Sequence, residues 1–298
     1  MQFGTHCVEC MVIRQAAFAR AHGDTATGLA FLKQVLQAIQ DAPEGVSSPY
    51  MTTIFERLAA DHYGLSGDLL AEEKAVSNRF MLARLESLRS RVFAAEDPLK
   101  MALRYARACN YIDFSALKGM VSYDELDSLL DAAGEAVLDE TEYANFTREL
   151  SGQKKLVYLC DNAGEIVADR VVAEVLRQQY PQLQLTFAVR GKPASNDALM
   201  EDALAVGLDR FARVIDSDSN IPGTELPYIG DTLRQALTEA DVILAKGMGN
   251  FETLWGCGMN VYYLFLCKCT RFQKMFGVEN LTGMFVNERR LQLQDYVD

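Results

Sequence analysis

Five short apolar runs in the second half of the chain, each followed by a helical pattern, restrict the possible folds more than any other feature. They are "KLVYLC" from residue 155, "LQLTFAVR" from 183, "RVIDSD" from 213, "ADVILAK" from 240 and "NVYYLFLC" from 260. A strand that is apolar on both sides has no face to offer water, so it belongs in a sheet covered on both faces. Such strands, separated by helices, predict a parallel sheet, because parallel neighbours need a crossover connection. About five of these units predict a doubly wound α/β fold, in which ligands bind beyond the carboxyl ends of the strands.

Up to about residue 150 the pattern is helical. "LAFLKQVLQAI" sets Leu29, Leu32, Leu36 and Ile39 on one apolar stripe. "SSPYMTTIFERLA" offers Ser48 as an N-cap with Pro49 in the first turn. "SGDLLAEEKAVSNRFMLARLESLRSRV" reads as one long helix. "EDPLKMALRYARACNYID" repeats the cap signal with Asp97 and Pro98, and "SYDELDSLLDAA" adds another helix. The expected organisation is an all-helical domain over 1–150 and an α/β domain over 151–298.

A formal net charge of -12 opposes phosphate backbones, so nucleic acid is not an expected partner. A small anion remains compatible, since a pocket can be locally positive. No apolar run approaches the length that crosses a bilayer, and "MQFGTHCVEC" lacks the basic and apolar regions of a signal peptide. Seven cysteines form no disulfide framework, which fits a reducing, cytoplasmic setting. No membrane partner is expected, and oligomeric state has no signature in the sequence.

Three strand ends carry polar residues where the fold would place a ligand. The first ends in Asp161 and Asn162, with Ala163–Gly164 as a turn and Glu165 just beyond. The second ends in Arg190–Gly191–Lys192, with Asn196 and Asp197 leading the next helix. The fourth ends in Lys246, followed by a glycine loop through Gly247, Gly249 and Asn250. Asp and Asn supply hard oxygen donors, which suit magnesium or manganese. Lys246 and Arg190 are candidate anion partners, and the glycine turn could bring backbone N–H groups to an oxyanion. A cation, a lysine and a helix N-terminus suit phosphoryl chemistry. Taken singly, Asp161 and Asp197 also read as helix caps.

The stretches "DNAGEIVADRVV", "VRGKPASNDAL" and "LAKGMGNFETL" together resemble the metal-dependent damage-control phosphatases, once catalogued as a domain of unknown function. Weaker matches are "CVEC", "ACNYIDF" at 108–114 and "IPGTEL" at 221–226, and the resemblance covers essentially the whole chain. The Cys-x-x-Cys suggests the prokaryote-rich branch. The resemblance implies a Rossmann-like α/β/α core with an added helical domain. It implies a divalent cation (manganese, cobalt, nickel or magnesium) at Asp161, Asn162 and Asp197, with Lys246 on the substrate phosphate. The implied substrates are small phosphorylated metabolites such as sugar phosphates, including damaged ones. Residues upstream of Pro222–Gly223–Thr224 depart from the family pattern.

Arg190, Asn196, Lys246, Gly249, Asn250 and Glu165 are thus the expected substrate-binding set. Cys7 and Cys10 precede a helix whose dipole would favour a thiolate, and Cys267 and Cys269 form a second close pair. Packing or a structural role is the expected reading of these thiols. Asn110 and Asp113 could face the pocket from the helical half. An S-adenosylmethionine- or nucleotide-dependent transferase is the alternative enzyme. It needs a glycine-rich turn after the first strand and an acid ending the second, where this chain has Ala163–Gly164 and Arg190. A non-enzymatic metal or redox protein built on the four cysteines is the other alternative.

Overall fold

The computed structural model describes residues 1–113, 122–152 and 154–294. Helices α1 (Thr5–His22), α2 (Thr25–Gln40), α3 (Ser48–Tyr63), α4 (Ala71–Leu82), α5 (Leu85–Phe93), α6 (Pro98–Cys109), α7 (Tyr123–Ala132) and α8 (Glu140–Glu149) come first. Strands β1 (Lys155–Leu159), β2 (Gln184–Val189), β3 (Arg213–Asp216), β4 (Val242–Lys246), β5 (Val261–Cys267) and β6 (Thr282–Asn287) follow. They are interleaved with α9 (Glu165–Gln179), α10 (Met200–Ala205), α11 (Asp231–Glu239), α12 (Gly247–Leu254) and α13 (Thr270–Phe276).

The sheet runs β3-β2-β1-β4-β5-β6. β1 to β5 are parallel, and β6 joins β5 antiparallel. The chain builds outward from β1 to β3, then returns to lay β4 on the other side of β1. That reversal opens a crevice at the carboxyl ends of β1 and β4, where doubly wound folds bind ligands.

Alternate residues of each strand feed different cores. Leu156, Tyr158, Leu185, Phe187, Leu244 and Leu264 pack with α4 to α9 on one face. Val157, Leu159, Ile243, Ala245, Tyr263 and Phe265 pack with α11, α12 and α13 on the other. This two-sided burial is why the strands read as continuous apolar runs. Helices α1, α2 and α3 build a smaller core of their own around Phe31, Val35, Met51 and Phe55.

Several local expectations change. The buried stripe of α2 is Gly28, Phe31 and Val35, whereas Leu29 and Leu36 are 56% and 52% exposed. Gly28 has no side chain, and a Cβ there would meet Ala19 at 3.5 Å, so α1 approaches closely and draws that stripe inward. The cap of α3 is Ser47, not Ser48; its Oγ accepts from Tyr50 N at 3.2 Å. The expected long helix is two, α4 and α5. The turn between them is held by Arg84, which donates to Phe80 O (3.1 Å) and with both Nε and Nη2 (2.6 Å each) to Asp127. β6 is an additional strand. Among the described residues no helix is long and apolar enough to cross a membrane.

Candidate functional site

Beyond Leu159 the backbone of β1 leaves the sheet and meets the segment that follows β2. Ala198 N donates to Asp161 O at 2.7 Å, and Ala163 N donates to Asn196 O at 2.9 Å. Asn162 and Asp197 form an isolated antiparallel bridge. These contacts bring Asp161, Asn162, Asn196 and Asp197 onto the wall of one cavity of about 460 Å³. Neither acid is a helix cap: Gly164 precedes α9, and α10 begins only at Met200, preceded by Leu199. Asn196 and Asp197 therefore do not lead a helix; the bridge takes their place in the chain.

Asp161 Oδ2 accepts from Asn110 Nδ2 at 2.9 Å and from Asn162 Nδ2 at 2.7 Å. Asn162 Nδ2 also donates to Glu165 at 2.9 Å, which leaves the amide oxygen as the donor atom for a ligand. Burial pushes the Asp161 carboxyl well above its usual range, and the nearby Glu165, Asp197 and Asp113 add to the rise. Burial also lifts Asp197 to about 6, against the pull of Arg190, whose Nε donates to Asp197 Oδ2 at 2.6 Å. Gly247, at φ +77°, forms the floor under Asp161: a Cβ there would lie 1.9 Å from Oδ2. Only glycine tolerates both that backbone and that contact.

Crowded, desolvated oxygen donors of this kind fit a hard divalent cation, which would offset the mutual repulsion of the acids. The set has two carboxylates and an amide. Among the described residues, no group of three or more His, Cys, Asp and Glu side chains is arranged to hold a metal ion.

The remaining expected residues divide. Gly249 lines the cavity with Asn196. Lys246 does not: it is fully buried, and its Nζ donates to Glu165, to Asp169 at 3.0 Å and to Ala106 O at 3.0 Å. Burial alone would lower its pKa, but Asp169 and Glu165 hold it above the usual lysine value. Lys246 thus stands in an internal ion cluster and not on the cavity wall where it was expected to meet a substrate phosphate. Lys246 fixes Glu165, which in turn accepts from Asn162 Nδ2 and orients that amide.

Arg190 and Asn250 are also buried behind the wall rather than on it. Arg190 Nη2 donates to Asn250 Oδ1 at 3.2 Å and to Cys160 O at 3.3 Å, and Asn250 donates to Lys246 O at 2.7 Å. Together with Glu165 they hold the wall in place from behind. The glycine loop expected after Lys246 is already helical, since α12 begins at Gly247.

Lys268 was not anticipated. It lines the cavity and donates to Asp113 Oδ2 at 2.7 Å and Asn110 O at 2.6 Å. Its charge opposes, without cancelling, the rise in the Asp161 pKa caused by burial and the neighbouring acids. Its signal was a lysine at the carboxyl end of β5, flanked by the cysteines that drew attention instead. Asn110 is fully buried between Asp161 and Leu266 N, which donates to its Oδ1 at 3.0 Å. Phe114 of the "ACNYIDF" stretch lies outside the described residues.

Cys7, Cys10 and Cys269 line the far part of the cavity, while Cys267 packs in the core beneath β5. All are free thiols. Burial raises Cys7 and lifts Cys269 to about 12 and Cys267 to about 11, against the pull of the α1 dipole at Cys7, while Cys10 is exposed.

Comparison with known proteins gives a consistent result. The profile of the damage-control phosphatase ARMT1-like domain matches residues 4–282. A Methanocaldococcus jannaschii protein is 29% identical over 285 residues, covering 92% of this chain and 91% of its own. A damage-control phosphatase of Archaeoglobus fulgidus is 30% identical over 236 residues, covering 78% of this chain and 81% of its own. The crystal structure of a DUF89 family protein from Pyrococcus horikoshii superposes with a TM-score of 0.82 at 23% identity. It covers 97% of this chain and 99% of that one, and so shares the fold.

Proposed function

The chain belongs to the damage-control phosphatase ARMT1-like family, and on that premise we propose that it uses a divalent cation at Asp161, Asn162 and Asp197 to hydrolyse small phosphomonoesters. It is a phosphatase. The observation that carries the metal-dependent reading is the Asn162–Asp197 bridge, which turns two distant segments into one oxygen-lined wall. Oxygen donors suit manganese, cobalt, nickel or magnesium, and three protein ligands leave room for water and substrate. A cation bound there would polarise the phosphoryl group and offset the charge that develops in the transition state.

The chain's own groups do the rest. Lys268 supplies a positive charge on the cavity wall beside Asp161, suited to a phosphate oxygen. Arg190 clamps Asp197, and the Lys246–Glu165 pair fixes the amide of Asn162, so the donors do not reorganise when substrate enters. Asn110 holds Asp161 from α6's end. Small phosphorylated metabolites, sugar phosphates and damaged forms among them, fit a cavity of about 460 Å³. A phosphate-release screen over such compounds with several divalent cations is the test. Turnover is expected to vanish in chelator and in Asp161→Ala; turnover that survives both would overturn the cation site.

A further inference from the structure

We propose that Arg14 grips a second anionic group of the substrate, so that the preferred phosphomonoesters carry a carboxylate or another phosphate away from the reacting phosphoryl group. This rests on the phosphatase reading above and narrows its substrate class.

The cavity extends well past the oxygen-lined wall. Its far part is bounded by α1, the start of α13 and α12, through His6, Glu9, Arg14, Glu252 and Arg271. About 460 Å³ is the volume of a whole small-molecule site, more than a phosphate alone requires. A substrate filling it would reach from Asp161 and Lys268 toward Arg14.

The cations on this wall differ in how they are engaged. Lys268 is matched by Asp113 at 2.7 Å. Arg271 donates to Gln2 O at 3.1 Å and to Cys7 Sγ at 3.4 Å. Arg14, among the described residues, makes no hydrogen bond and no ion pair. It stands within electrostatic range of two carboxylates, Glu56 of α3 and Glu252 of α12, but bonds neither. A half-buried guanidinium on a cavity wall, its donors uncommitted, matches the paired oxygens of a carboxylate or phosphate.

The acids nearby do not cancel this preference. Glu252 lies within electrostatic range of the N-terminal ammonium, Arg271 and Arg14, so its charge is offset by more cations than Arg14 alone, with Glu225 the acid beside it. Glu56 sits behind the wall, where it accepts from Ser195 N at 3.1 Å. Glu9 remains the opposing charge at the rim.

The test uses matched substrate pairs with a cation that supports turnover. One pair is glucose 6-phosphate and 6-phosphogluconate, whose open chain carries a carboxylate at C1; the other is fructose 6-phosphate and fructose 1,6-bisphosphate. The wild-type protein is expected to favour one or both doubly anionic members by about tenfold in kcat/KM, the scale of one charge-assisted contact. The pair that shows the preference identifies the second anion. Arg14→Gln is expected to bring that ratio close to one, and Arg14→Lys to leave it intermediate, with melting curves confirming both variants folded. A wild-type ratio near one in both pairs, or a preference that survives Arg14→Gln, overturns the assignment. No phosphate release from any phosphomonoester with any cation overturns the phosphatase reading itself, and the assignment with it.

Discussion

Replacing Lys246 with methionine is a direct test of the ion cluster behind the cavity. The side chain is fully buried, as are Glu165 and Asp169, its two carboxylate partners. Methionine keeps the volume and removes the charge, leaving two desolvated acids facing each other. Removing one member of a buried ion pair costs about 3–5 kcal/mol, because the remaining charge keeps its desolvation penalty without compensation. Whole domains are stable by only about 5–15 kcal/mol, so the loss should lower the melting temperature by on the order of 10 °C. Lys246→Met/Asp169→Asn removes one of the stranded charges and should recover about 1–2 kcal/mol of it. Tyr158, which donates to Asp169 Oδ1 at 2.5 Å, can also donate to the new amide oxygen. Denaturant unfolding in chelator measures this without any contribution from catalysis. An unchanged unfolding midpoint in Lys246→Met, paired with a selectively raised KM for phosphate esters, would mean that the lysine serves substrate after all.

Three further outcomes follow from the wall itself. Gly247→Ala should abolish cation-dependent turnover and cost about 1–2 kcal/mol from its left-handed backbone alone; a variant with normal activity would contradict the contact of its Cβ position with Asp161 at 1.9 Å. Arg190→Met should weaken manganese binding roughly 10–100-fold by freeing Asp197, as measured by calorimetric titration; undiminished affinity would remove Arg190 from its positioning role. In chelator, stability should fall as pH rises from about 5 to 8, because burial lifts Asp197 and Asp169 to about 6 and Glu56 and Glu252 to about 7. Native carboxyls that hold protons more tightly than unfolded ones stabilise at low pH and lose that contribution as pH climbs through the raised values. A melting temperature that is flat or rising over this range would contradict the burial of these acids.

The sheet was legible because strands buried on both faces leave an unbroken apolar signature, and the polar residues at their ends stood out against it. That contrast made Asp161, Asn162 and Asp197 visible. The roles of Lys246 and Arg190 were not, because sequence places a charge at a strand end without saying which side of the wall it occupies. Both turn inward, where buried carboxylates await them. β6 escaped because "TGMFVN" is short, contains glycine and is buried along only part of its length. The break between α4 and α5 escaped because it depends on Arg84 meeting Asp127 of α7, a partner far along the chain. Arg14 carried no motif at all; its position on the cavity wall arises only when α1 folds over the carboxyl end of the sheet.

The core that joins α4 through α9 to one face of the sheet has a bearing on how the polypeptide can be divided. Tyr105, Ile112, Leu126 and Phe146 from before residue 151 share that core with Tyr158, Leu244 and Leu264. A fragment starting at β1 would expose this apolar layer to water, inviting aggregation instead of yielding a free-standing phosphatase half. Excision near the end of α3 would spare it, since the first three helices enclose an apolar centre of their own.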